Sequence, residues 1–204
     1  MRQCENIQEL VKLSPDYIGF IFYKKSKRFV ADFPKTDIPE TIKKVGVFVD
    51  ESIVKIVELV LKHQLDAVQL HGDESVDFCK ILSRQPELVS GSHQTEIFKA
   101  FSVEEHFDFL TTKGYAQYCD LFIFDTKGKG YGGTGLKYDW KLLEKYKGET
   151  PFLLSGGIRE NDVSAITNFQ HPKCVGVDLN SGFEDSPGIK DIKKLQAFKQ
   201  QLYV

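Results

Sequence analysis

Pro151-Phe152-Leu153-Leu154-Ser155-Gly156-Gly157-Ile158 and, one helix-length later, Val175-Gly176-Val177-Asp178-Leu179-Asn180-Ser181-Gly182 decide the fold. Each is a short, nearly continuous apolar run that ends abruptly in glycine and small polar residues. A run without alternation is the pattern of a parallel strand covered on both faces. The segment between them, Asn161–Asn168, has room for one helix, so the whole reads as a βαβ unit. Working towards the N-terminus, five further runs repeat the pattern: Tyr17–Tyr23, Val45–Val49, Ala67–Leu70, Ile97–Phe101 and Leu121–Phe124.

Helical spacing fills the gaps. Ile53, Val54, Ile56, Val57, Val60 and Leu61 form one stripe, and Ile7, Leu10, Val11 and Leu13 form another before the first run. Val103, Phe107 and Leu110 are spaced as a third, and Ile189, Ile192, Leu195 and Phe198 as the last. Helices are also expected over Glu74–Leu82 and Tyr138–Tyr146, and Gln85–Glu96 as a surface loop. Strict βα alternation leaves an open doubly wound sheet or a closed barrel. Strand centres recur about every 26 residues, a uniform step that favours the (β/α)₈ TIM barrel. Only seven runs are present and the chain opens on a helix. The expectation is therefore a single α/β barrel domain over residues 1–204 whose first strand is missing from this chain.

Composition excludes several functions. Twenty-seven Lys and Arg against 29 Asp and Glu give a net charge of −2, which argues against nucleic acid or a membrane surface as partner. No stretch approaches the roughly 18 apolar residues of a membrane span, and no secretory leader is visible, so a cytoplasmic protein is expected. The four cysteines (Cys4, Cys79, Cys119, Cys174) stand singly, with no CxxC pair for zinc, and are expected to be reduced. Val103-Glu104-Glu105-His106 lacks the spacing of a metal-binding HExxH helix. No metal and no cofactor is expected.

In a barrel the chemistry sits at the C-terminal strand ends. There the sequence places Arg28, His71-Gly72-Asp73, Asp125-Thr126, Ser155-Gly156-Gly157 and Asp178-Leu179-Asn180-Ser181-Gly182. Two consecutive final strands ending in glycine offer unobstructed backbone N–H groups, the makings of a phosphate site. Lys127–Gly135 carries five glycines. It fits GxGxxG only formally, has neither a ribose-binding acid nor a P-loop GK[ST], and is read as a lid beside the site. Asp125, a carboxylate ending an apolar strand, is the candidate general acid.

These pieces together resemble the phosphoribosylanthranilate isomerase family of tryptophan biosynthesis. The resemblance is carried by Pro15–Phe22, Ser26–Val30, Lys44–Val49, Val68–Glu74, Lys99–Phe101, Phe124–Thr126, Leu154–Ile158 and Gly176–Glu184, in family order over nearly the whole chain. It implies an aldose–ketose isomerase that needs neither metal nor coenzyme and acts on a small phosphorylated substrate. The reaction is the Amadori rearrangement of N-(5-phosphoribosyl)anthranilate to 1-(2-carboxyphenylamino)-1-deoxyribulose 5-phosphate. It implies Asp125 as the acid, Arg28 on the anthranilate carboxylate, and Gly156, Gly157, Asn180, Ser181 and Gly182 around the phosphate. His71 and Asp178 fall on positions lining the site. The family's general base is a Cys in a Lys-x-Cys-Gly-Met segment that closes the first strand. Met1-Arg2-x-x-Glu5-Asn6-Ile7 resembles the stretch immediately C-terminal to that Cys-Gly. The base is thus expected to be absent and activity at most residual, with Cys4 no substitute. An inactive phosphosugar-binding barrel is the alternative. Indoleglycerol-phosphate synthase and ribulose-phosphate epimerase barrels fit less well, since their lysine–glutamate and metal-ligand patterns are absent. Monomer and homodimer both remain open.

Overall fold

A computed structural model of the chain describes residues 1–89, 94–126 and 140–202. Seven parallel strands form one sheet in sequence order: β1 (Tyr17–Ile21), β2 (Lys43–Phe48), β3 (Ala67–Leu70), β4 (Glu96–Val103), β5 (Leu121–Thr126), β6 (Phe152–Ser155) and β7 (Cys174–Val177). All seven expected runs are strands, and the sheet curls into an open half-barrel with β1 and β7 at its edges. Nearest-neighbour order throughout is the topology of a barrel rather than of a doubly wound sheet, whose strand order reverses midway.

The sheet divides the apolar residues into two clusters. Val45, Ala67, Phe98, Ala100, Leu121 and Ile123, with Tyr17 and Leu153 against them, pack on the concave side. Ile18, Phe20, Phe48, Val68, Leu70, Phe122, Phe124, Phe152 and Leu154 belong to the larger outer cluster shared with the helices. Burial on both faces is why the inner strands β3 and β4 read as continuous runs rather than alternating ones.

The helices are α1 (Cys4–Val11), α2 (Ile53–His63), α3 (Val76–Leu82), α4 (Pro86–Val89), α5 (Val163–Asn168) and α6 (Ile192–Leu202). Ser52 and Ser75 cap α2 and α3, their hydroxyls accepting from Lys55 N–H (3.3 Å) and Phe78 N–H (3.1 Å). Burying Ile56 and Val60 docks α2 on the sheet. Among the described residues no helix is long and apolar enough to cross a membrane.

Four expectations need correction. Gln85–Glu96, expected as a surface loop, holds the short helix α4 with Leu88 buried, and its last residue begins β4. Val103, Phe107 and Leu110 do not share a helix: Val103 ends β4, buried among outer-cluster residues, and the chain then turns into a 3₁₀ segment, Phe109–Gly114. The helix expected at Tyr138–Tyr146 is a 3₁₀ segment, Trp140–Lys145, as far as it is described. Ile189 precedes α6, in a hairpin of β8 (Glu184–Ser186) and β9 (Ile189–Lys190). The lid expected at Lys127–Gly135 lies outside the described residues.

Candidate active site

The two-residue period of a strand carries the concave face onward to its C-terminal end. Ala67 and Gln69 lead to His71, Leu121 and Ile123 to Asp125, Leu153 to Ser155, and Gly176 to Asp178. Register aligns Asp125 with Ser155, and the Ser155 hydroxyl donates to Asp178 Oδ2 at 2.8 Å. His71 Nε2 lies 3.4 Å from Asp125 Oδ2. Gln69, buried on the same face, places its amide nitrogen 2.9 Å from His71 Nδ1. Asp125, His71, Ser155 and Asp178 therefore stand at one end of the half-barrel, the strand ends at which the sequence placed them. Gln69 was missed, because a glutamine between apolar neighbours in a buried strand gives no motif.

The glycine loops after β6 and β7 lie against one another. Gly156 and Gly157 adopt φ 91° and 65°, a region costly for any residue with a Cβ. A Cβ on Gly182 would lie 2.1 Å from the Ile158 carbonyl oxygen, so the loops after β6 and β7 touch. Beneath the second loop, Lys190 Nζ donates to Leu179 O (2.9 Å), Asn180 O (3.2 Å) and Asn180 Oδ1 (3.1 Å). In a planar trans peptide the C=O and N–H point opposite ways. Holding the 179 and 180 carbonyls on Lys190 turns the Asn180 and Ser181 N–H groups away from it, towards the open side of the loop. Burial lowers the Lys190 ammonium below its ordinary value, with Glu184 and Asp178 opposing that shift.

Arg28 lies in the loop after β1, held where Val30 N–H bonds Ile21 O at 2.8 Å. One edge of its guanidinium is already taken within the chain, leaving only the Nη1 side towards a ligand. Nε and Nη2 fork onto the Glu184 carboxylate at 2.6–2.9 Å, and Gly188 N–H also bonds that carboxylate at 3.1 Å. The Glu184 side chain is only 4% exposed, and Lys190 Nζ is 3.7 Å away. Burial alone would raise the Glu184 carboxyl. The Arg28 hydrogen bonds, the Lys190 charge and Gly188 N–H outweigh it, holding the group below its ordinary value.

A second buried pair supports the loop after β3. Lys99 Nζ sits 3.2 Å from Glu74 Oε2 and donates to Gly72 O (2.8 Å) and Ala100 O (3.0 Å). Glu74 in turn accepts from the Asp50 and Gly72 N–H groups at 3.0 Å each. Asp50 Oδ1 takes Asp73 N–H at 2.7 Å, where a Cβ on Gly72 would meet it at 2.3 Å. His71 thus stands on a rigid turn.

The thiols lie elsewhere. Cys4 Sγ is directed to Lys35 O at 3.7 Å, at the head of α1. Cys79 and Cys119 are both buried, and the neighbouring Cys79 thiol together with burial pushes the Cys119 thiol up. Cys174 is at the start of β7, the end remote from the site, and burial raises it. A cleft of about 660 Å³ behind β6 and β7, lined by Leu154, Ile166, Phe169 and His171, gathers none of the strand-end groups.

Comparisons with known proteins point to one family. The family model for N-(5'-phosphoribosyl)anthranilate (PRA) isomerase matches residues 1–201. The N-(5'-phosphoribosyl)anthranilate isomerase of Parabacteroides distasonis is 47% identical, over 99% of this chain and 90% of the relative. The crystal structure of phosphoribosyl anthranilate isomerase from Thermotoga maritima superposes with a TM-score of 0.81 at 28% identity, covering 100% of this chain and 95% of that one. A phosphoribosyl anthranilate isomerase in complex with reduced 1-(o-carboxyphenylamino)-1-deoxyribulose 5-phosphate superposes at 0.77 with 26% identity, covering 100% and 98%.

Proposed function

The chain belongs to the N-(5'-phosphoribosyl)anthranilate isomerase family, and from that membership we propose that its strand-end site carries out the Amadori rearrangement of N-(5-phosphoribosyl)anthranilate. The observation that carries this reading is the convergence of Asp125 with two touching glycine loops at one end of the sheet. Asp125, protonated, gives its proton to the furanose ring oxygen. The C1–O bond breaks as the anilino nitrogen lone pair forms the C1=N bond. A base then removes the C2 proton, and the resulting enol becomes the ketone. The N–H groups of Gly156, Gly157, Asn180, Ser181 and Gly182 hold the phosphate and so fix the ribose chain over Asp125. Arg28, oriented by Glu184, meets the anthranilate carboxylate through its remaining edge. Asp178, hydrogen-bonded by Ser155, and His71 line the ribose. No step here is assigned to a metal or coenzyme. We place the reaction in the cytoplasm, in keeping with four free thiols.

We infer that the base is a Cys the described strand-end residues do not supply, a reading supported by the placement of the four thiols away from the site. We propose that the half-barrel supplies strands two to eight of a (β/α)₈ barrel. An additional strand would enter between β1 and β7, where Met1 N already donates to Gly19 O at 2.7 Å, and would carry the base as Cys. The test compares isomerisation by the 204-residue chain with that by the same chain preceded by a Lys-x-Cys-Gly strand. Turnover in the extended chain supports the reading. Tight binding of a reduced product analogue without turnover in either chain would favour the phosphosugar-binding alternative, which the remote thiols also suggest.

A further inference from the structure

The contacts that lead from Gln69 through His71 to Asp125 fix more than position. Gln69 is buried on the concave face, one strand repeat before His71, and its amide nitrogen stands 2.9 Å from His71 Nδ1. An amide nitrogen only donates. Nδ1 must therefore present its lone pair, and the single proton of the neutral imidazole is placed on Nε2. That atom is the one 3.4 Å from Asp125 Oδ2. The ring cannot readily turn away, because the His71 N–H is anchored to Phe48 O at 2.8 Å and the next turn is tied to the Lys99–Glu74 pair.

We propose that Gln69 is a positioning residue that locks His71 as the Nε2–H tautomer, so that the imidazole offers a hydrogen bond to the carboxylate Asp125 becomes once its proton is given up. This rests on Asp125 being the acid. The proton goes from Asp125 to the ring oxygen, the C1–O electron pair goes to that oxygen, and the anion left on Asp125 has the Nε2–H 3.4 Å away, close enough to shorten into a hydrogen bond. A neutral donor stabilises the developing charge without itself exchanging a proton. The opposite tautomer would point a lone pair at the carboxylate and repel it.

The tautomer is read directly by ¹⁵N NMR of the full chain at alkaline pH, with His71→Asn assigning the signal among the five histidines. The expected spectrum shows Nδ1 as a bare nitrogen and Nε2 as N–H. Gln69→Met should mix the two forms, and Gln69→Glu, nearly isosteric, should draw the proton to Nδ1. In an active chain Gln69→Met should lower kcat by about 10–100-fold with KM nearly unchanged, the size seen when a histidine loses its orienting partner. A parent spectrum with the proton on Nδ1, or a tautomer indifferent to both substitutions, overturns the proposal. The parent spectrum decides even if a variant fails to fold. The expected tautomer together with full turnover by Asp125→Asn would keep the Gln69 assignment and remove only the acid role of Asp125.

Discussion

Glu184 is the residue whose removal the structure lets us cost. Its carboxylate is 4% exposed and takes three hydrogen bonds from Arg28 and one from Gly188, with Lys190 at 3.7 Å. Glu184→Ala leaves two cations facing each other with no anion between them. Removing one partner of a buried pair costs about 3–5 kcal/mol. Arg28 is 26% exposed and water can reach it, so the lower figure, about 3 kcal/mol, is expected. In a domain of this size that is a fall of roughly 6–12 °C in Tm. The pH dependence has a definite sign. The carboxyl is held below its ordinary 4.5 in the folded chain, so its contribution is present above that value and is lost as pH falls through the native pKa. The gap between parent and Glu184→Ala should therefore be full at neutral pH and close in acid. Urea unfolding of both proteins across that range measures it, with Glu184→Gln intermediate because an acceptor remains. A neutral-pH difference under about 0.5 kcal/mol, the scatter of ordinary surface changes, would refute the reasoning. So would a gap that persists unchanged in acid.

Three further outcomes are expected. In a chain extended by the Lys-x-Cys-Gly strand, Asp125→Asn should cut kcat by about 10²–10⁴-fold while a phosphorylated product analogue still binds; a kcat near the parent's would remove Asp125 from the acid role. Gly182→Ala drives a Cβ to 2.1 Å from the Ile158 carbonyl oxygen and must part the two loops. Calorimetry should then show inorganic phosphate binding weakened by at least about tenfold, or 1.4 kcal/mol, and an unchanged Kd would refute the cradle. Ser in place of the Cys of the added strand should raise the unfolding midpoint as the Cys strand does but restore no turnover. If the 204-residue chain already turns over as fast as the Cys-extended one, the base lies elsewhere.

The inner strands β3 and β4 were legible because they are buried on both faces, and a residue covered on both sides leaves an apolar letter at nearly every position; the edge strands β1 and β7 are only partly covered yet keep the apolar run. The end-of-strand residues were legible for the complementary reason: a polar or glycine residue directly after such a run has few places to go but the rim. Helix-like spacing failed at Val103, Phe107 and Leu110, where the first of the three was still strand and periodicity alone carries no information on where a strand stops. Lys99 stood inside the expected strand Ile97–Phe101 yet gave no signal of its task. Its partner Glu74 lies on another βα unit, and only folding brings the two side chains within 3.2 Å. The β8–β9 hairpin is short and polar, so it lacked the apolar run that announces a strand.

Arg28 shows how far such tertiary partners change a motif reading. In sequence, the resemblance alone gives it the task of meeting a carboxylate and names no partner within the chain. In the fold its Nε–Nη2 edge is already spent on Glu184, and the same carboxylate lies beside Lys190, which holds the carbonyls of the loop after β7. One buried anion thus ties the residue proposed to meet the anthranilate end of the substrate to the loop proposed to meet its phosphate end. A carboxylate ligand can then approach only the Nη1 side of Arg28, along a direction fixed before it arrives, so the fork costs little further ordering on binding. On that proposal the link between Arg28 and the loop after β7 runs through Glu184 and Lys190 of the β8–β9 hairpin. Lengthening that hairpin, with every strand-end residue intact, should therefore weaken binding of the whole substrate more than binding of inorganic phosphate.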